Sequence, residues 1–175
     1  MTGLPSLHPL IVHTPIAMII VSFVFELVGR VTDADWWRKA AFAMLVVGVL
    51  GAGAAVLSGN EAGEIAEHQG IPEGAVDAHE QASQFALWLG LAALVVRAVA
   101  GRTGRARGVA GGLGLALHLA AAVAVGVAGF RGGQLVYEHG AGVTAKVSSA
   151  SPAPAAESTA GEHGEKSRGK TRDDD

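Results

Sequence analysis

Apolar positions in this chain come in long unbroken blocks instead of recurring face by face. Four such runs lie at about 9–29, 40–58, 78–100 and 109–130. A helix needs roughly 20 apolar residues to cross a bilayer, and the first, second and fourth runs meet that length directly. The second carries no charged residue. The third is shorter at its apolar heart, but Asp77 and Glu80 have the spacing of a capping box, in which each side chain satisfies an orphan backbone N–H. That box predicts a helix starting near Ala78, with His79 in its first turn. The pattern therefore predicts an all-α integral membrane protein, a four-transmembrane-helix bundle over residues 1–144. From about Ala145 the chain turns to Ala, Ser, Pro, Gly and charge without an apolar pattern, so 145–175 are expected to be a disordered tail.

No basic residue precedes the first run and no small-x-small cleavage site follows it, so it reads as a retained helix and not a signal peptide. The chain has no cysteine, which excludes thiolate-ligated metals, iron–sulfur clusters and covalently attached c-type haem. Its net charge of −3 is small, and its basic residues are split between short loops and the tail. The expected partner surface is the lipid bilayer and not nucleic acid. No nucleophile pattern surrounds Ser22, Ser58 or Ser83, and no glycine-rich loop follows a strand to cradle phosphate.

Charge changes the picture by orienting it. Arg30, Arg38 and Lys39 follow the first run; Arg97, Arg102, Arg105 and Arg107 border the loop after the third. Residues 59–84 hold no Lys or Arg, only Glu61, Glu64, Glu67, Glu73, Asp77 and Glu80. The positive-inside rule makes the basic loops cytoplasmic, with both termini and the acidic segment outside, and Trp36 and Trp37 in an inner interfacial belt. Glu26 stands one turn before Arg30, the favourable order for a structural i,i+4 ion pair.

Five of the seven histidines then fall on the outer side: His8, His13, His68, His79 and His139. His118 is intramembrane, about 18 Å along its helix from Phe130; a helix–helix hydrogen bond is its expected role. His68 reads as an interfacial anchor, and His163 in the tail has no assigned role. His8 and His13 are five apart, about 140° around a helix, so they cannot chelate one ion from one face. His13 and His79 sit at matching depth on different helices, which suits the two axial positions of a b-type haem. The same histidines, with Glu80 or Glu138, suit copper or zinc. Glycines such as Gly48, Gly51, Gly53, Gly111, Gly112, Gly114, Gly126 and Gly129 either let helices pack closely or leave space for a flat macrocycle.

LHPLIVHTP, residues 7 to 15, opens the first run. Pro9 fits as a first helical residue with His8 at the cap. Pro15 frees the carbonyl of Ile11 and predicts a kink near His13 that aims this side chain inward toward the third and fourth helices. Bent backbone at membrane depth is tolerated where it lines a buried site.

The stretches LHPLIVHTPIA and GGQLVYEHGAGV, with the histidine at the head of the third helix, resemble a bacterial four-helix membrane family known as domain of unknown function 2231. The resemblance covers roughly residues 5 to 145 and makes His8, His13, His79 and His139 the motif histidines. Thr14 stands where the family usually has an aromatic residue. The family has no settled activity. Relatives fused to Rieske-type or cytochrome c domains imply electron transfer by analogy. The resulting expectation is a haem b protein of the bacterial inner membrane that passes electrons from a membrane donor such as quinol to an outer-face redox protein such as a cytochrome c or Rieske protein. Axial ligands would be His13 and His79, with His8 and His139 as alternatives. The other two expectations are a non-haem copper or zinc site and a structural small subunit of a larger membrane complex.

Overall fold

The computed structural model describes residues 4–103 and 108–143, with side chains from Leu7 onward. The expected tail, His163, Arg105 and Arg107 lie outside the described residues. Among the described residues five helices follow one another: α1 (Leu4–Ile11), α2 (His13–Val31), α3 (Asp35–His68), α4 (Glu73–Arg102) and α5 (Val109–Tyr137). α1 and α2 are one span broken at Val12. Pro15 has no N–H to offer Ile11, and the helical ladder there is carried by Val12 N–H on the His8 carbonyl at 3.1 Å and Ile16 N–H on the Val12 carbonyl at 3.4 Å.

Among the described residues four segments are long and apolar enough to cross a membrane: Leu7–Val31, Asp35–His68, Glu73–Arg102 and Val109–Tyr137. They run up and down in a closed ring, α2 against α3, α3 against α4, α4 against α5 and α5 back against α2, while α1 packs on α3. All four contribute to the core: Ile19, Leu45, Val49, Ala86, Ala93, Ala121 and Val125 are buried together. Large apolar side chains such as Leu10, Val24, Leu50, Leu57, Trp88, Val95, Val123 and Phe130 point outward. A bundle that is apolar outside as well as inside is adapted to lipid. Lipid tails give no hydrophobic drive between helices, so close packing has to hold them. Gly48 shows how: a Cβ there would stand 2.7 Å from the Ile19 side chain and 3.2 Å from its backbone nitrogen.

The helices at the acidic end are longer than the apolar pattern implies. Glu61, Glu64 and Glu67 lie on the last turns of α3 instead of in a loop. α3 ends at His68, and two residues on Gly70 has a φ of 91°, the left-handed conformation glycine adopts without a Cβ penalty. There Ile71 N–H reaches the Ala66 carbonyl and Gly70 N–H reaches the Glu67 carbonyl, a Schellman closure. Ile71, Val76 and Leu135 bury one another just beyond it. α4 then starts at Glu73, directly after Pro72, without a side-chain cap. The capping box expected at Asp77 and Glu80 is therefore not a helix start. Both residues lie inside α4, because Pro72 and the buried Ile71 set the turn earlier.

Candidate functional site

At the end where α1 begins and α5 stops, two half-buried imidazoles face each other. His8 comes from α1 and His79 from the second turn of α4; their ring centroids are 6.3 Å apart with planes at 85°. Each ring is held by its Nδ1. His79 Nδ1–H donates to the Ala128 carbonyl of α5 at 3.0 Å. His8 Nδ1 lies 3.0 Å from Ser58 Oγ on α3. Ser58 spends its own proton on the Ala55 carbonyl, so it accepts from His8 Nδ1–H. Both rings therefore carry their acceptor lone pair on Nε2, and neither Nε2 has a hydrogen-bond partner among the described residues. Two glycines seat the rings. A Cβ at Gly59 would stand 3.0 Å from His8 Cε1, and one at Gly132 the same distance from His79 Cε1.

The remaining expected ligands are elsewhere. His13 is exposed, its Nδ1–H donating to the Pro9 carbonyl of its own helix at 2.6 Å. The break at Val12 does not aim it inward. Pro15 is the residue that turns in, packing at 3.2 Å from where a Gly51 Cβ would be. Two positions on a helix differ by about 200°, so burying Pro15 sends His13 outward. His139 is exposed just past α5, beside Glu138, whose Oε1 accepts from Gln134 Nε2 at 3.2 Å. His68 is exposed at the end of α3. Glu80 lies against Gly63 of α3. Among the described residues no three His, Cys, Asp or Glu side chains form a metal-ligand cluster.

A second polar site lies deeper, toward the basic-loop end. His118 of α5 is fully buried. Its Nε2 is 2.8 Å from Ser22 Oγ and 3.3 Å from the Ile19 carbonyl, both on α2. Its Nδ1 is 3.0 Å from Arg97 Nη1 on α4. Arg97 also pairs with Glu26 Oε2, and Glu26 Oε1 takes Arg30 Nε at 2.8 Å. Arg30 continues to the Gly111 carbonyl at 2.8 Å. Side-chain exposure is only 8% for Arg97 and 4% for Glu26. The Arg97 stem crosses α5 at Gly114, where a Cβ would stand 2.9 Å from its Cγ.

A family model described as predicted membrane protein (DUF2231) matches residues 4–145, all four spans and both end motifs. The chain belongs to the DUF2231 family. No curated protein and no solved structure gives a match to it.

The chemistry of the two sites in this DUF2231 protein follows from their hydrogen bonds. Arginine only donates, so His118 Nδ1 must accept and Nε2 must carry the proton. Such an imidazole cannot take a proton from Ser22, whose hydroxyl donates to the Ile19 carbonyl at 2.9 Å. The Ser22–His118 contact is thus the reverse of a hydrolase pair, where a carboxylate holds Nδ1–H and Nε2 accepts from serine. The expected helix–helix bond of His118 and the Glu26–Arg30 ion pair are both present. The Arg97 link between them was not expected, because by charge alone Arg97 groups with the loop arginines. A signal existed: Arg97 stands five residues inside the end of α4, within an otherwise apolar stretch.

Proposed function

We propose that this DUF2231 protein is a membrane redox component carrying a single transition-metal ion of the copper class on His8 and His79. One observation carries the reading: two imidazoles from different helices face each other with both Nδ1 positions committed to protein oxygens and both Nε2 lone pairs unpartnered. A hydrogen bond on the far nitrogen is what orients metal-binding histidines and fixes their tautomer. Imidazole suits copper, which binds most tightly among the divalent first-row ions. Zinc asks for three or four protein ligands, and among the described residues no third stands by.

A b-type haem uses the same donor type and also needs only two protein ligands. Its expected pair, His13 and His79, is not the one brought together, and a macrocycle would have to separate rings now in edge-to-face contact. The ion is therefore the better supported centre. Electron transfer, with quinol as donor and a cytochrome c or Rieske-type protein as acceptor, belongs to this proposal through the family's domain associations. So does the orientation from loop charge, with the histidine end and both termini outside a bacterial inner membrane.

Protein purified in detergent after expression with copper and haem supplements tests the reading by metal analysis and absorption spectroscopy. One copper per chain, lost in His8→Ala and His79→Ala and kept in His13→Ala, is the expected result. A Soret band lost in the same two variants replaces the ion by haem b on that pair. Neither copper nor a Soret band overturns the proposal and leaves a structural subunit.

A further inference from the structure

The seam between α4 and α5 holds a feature that the histidine pair does not use. Arg131 of α5 reaches across to α4, its Nη1 donating to the Ala78 carbonyl at 2.6 Å. No carboxylate among the described residues pairs with it, so most of its guanidinium donors remain open. Arg131 lines two adjoining hollows. Above it lies a cavity of about 170 Å³ with Gln134, Glu138 and His139 on its walls. Below it lies a groove of about 310 Å³ walled by Ala82, Phe85, Ala124 and Val127, with Gln81 at its side. Phe85 is 66% exposed on the membrane face of the bundle.

We propose that this seam binds one anionic phospholipid, with its phosphate on Arg131 and an acyl chain in the groove below. Three properties match. From Arg131 down to Ala124 the lower groove runs along seven residues of α5, about 10 Å of helix, which takes the upper part of an acyl chain. Polarity runs in the order of a phospholipid: hydrogen-bonding groups at the top, a cation in the middle, apolar walls below. The guanidinium fork fits phosphate oxygens in a bidentate way, and a partly buried cation without a counterion attracts one. Glu138 shares the upper hollow but turns Oε1 to Gln134, and it favours a headgroup that donates hydrogen bonds, such as glycerol. Lipid binding here does not rest on a metal at the histidine pair, although Arg131 lies close enough to His79 for their charges to interact.

The test uses the full chain purified in mild detergent and exposed to equal amounts of phosphatidylglycerol and phosphatidylcholine with identical acyl chains. Lipid retained per chain is read by native mass spectrometry. The expected result is one phosphatidylglycerol per chain at a tenfold or greater preference. Arg131→Gln abolishes that preference, and Arg102→Gln, at the opposite end, leaves it intact. If Arg131→Gln does not give a monodisperse helical protein, Val127→Trp decides: it fills the groove with Arg131 in place and should cut retention at least fivefold. Equal retention of both lipids, a preference that survives both variants, or a neutral quinone held in place of the lipid overturns the proposal.

Discussion

The two histidine sites differ in how completely their hydrogen bonds close. At the deep site both imidazole nitrogens and both carboxylate oxygens are used: Ser22, His118, Arg97, Glu26 and Arg30 run in one chain from α2 through α5 and α4 and back to α2. At the outer site each imidazole uses one nitrogen and leaves the other open. Among the described residues, no buried side-chain nitrogen or oxygen lacks a partner, so the open Nε2 atoms of His8 and His79 belong to a pair that is only half-buried. A closed network in lipid has nothing left to bind and holds helices in register. An open pair of lone pairs at the edge of the bundle has capacity for a ligand. The two differ in burial as well, but the count of unused lone pairs is what bears on ligand capacity.

The sharpest break of this comparison is to remove the open pair. The double variant His8→Ala, His79→Ala should lose all bound metal while its thermal transition in detergent moves little, since Ser58 keeps its bond to the Ala55 carbonyl. A large fall in stability with no change in metal would make the outer site structural too. At the deep site the opposite is expected. Arg97→Leu leaves His118 Nδ1 and Glu26 Oε2 without donors, with Arg30 still on Glu26 Oε1, and should cost about 2–4 kcal/mol of stability in a denaturation series, with the metal stoichiometry of the folded fraction unchanged. His118→Ala leaves the Glu26–Arg97 pair in place and should cost less, about 1–3 kcal/mol. Ser58→Ala sharpens the outer site without removing a ligand: it frees the His8 ring to turn, and metal affinity in a competition titration should fall about tenfold. His13→Ala should change stability by no more than about 0.5 kcal/mol and metal content not at all; loss of metal there would restore His13 as a ligand.

Much of the architecture was legible in the chain. Four apolar blocks mean four spans because a helix satisfies its own backbone in lipid, and this holds whatever the tertiary packing. Pro15 marked the break in the first span for an equally local reason: a missing N–H. The element ends were less legible. Asp77 and Glu80 have the residue types and spacing of a cap, but a cap also needs a chain that enters from outside the helix, and the Ile71–Val76–Leu135 contact starts α4 five residues before the expected position.

The histidines divide the same way. That His8 and His13 cannot share a face follows from 3.6 residues per turn. Which of them turns inward does not, because it depends on where Pro15 and Gly51 pack. A pair separated by 71 positions, His8 and His79, meets only because α1 lies on α3 and α4 packs beside it. Arg97 is the clearest case. Its place five residues inside the end of α4, in an apolar stretch, marks it as unusual but is still compatible with snorkelling to the membrane surface. It turns inward because Gly114 leaves room for its stem and because Glu26 and His118 wait on two other helices. By itself, then, the sequence determined the spans, the break and the residue types available for chemistry, all set by local periodicity and solvation. Only the tertiary structure decided which nitrogens are closed off and which are left open, since hydrogen-bond partners on separate helices have no fixed spacing along the chain.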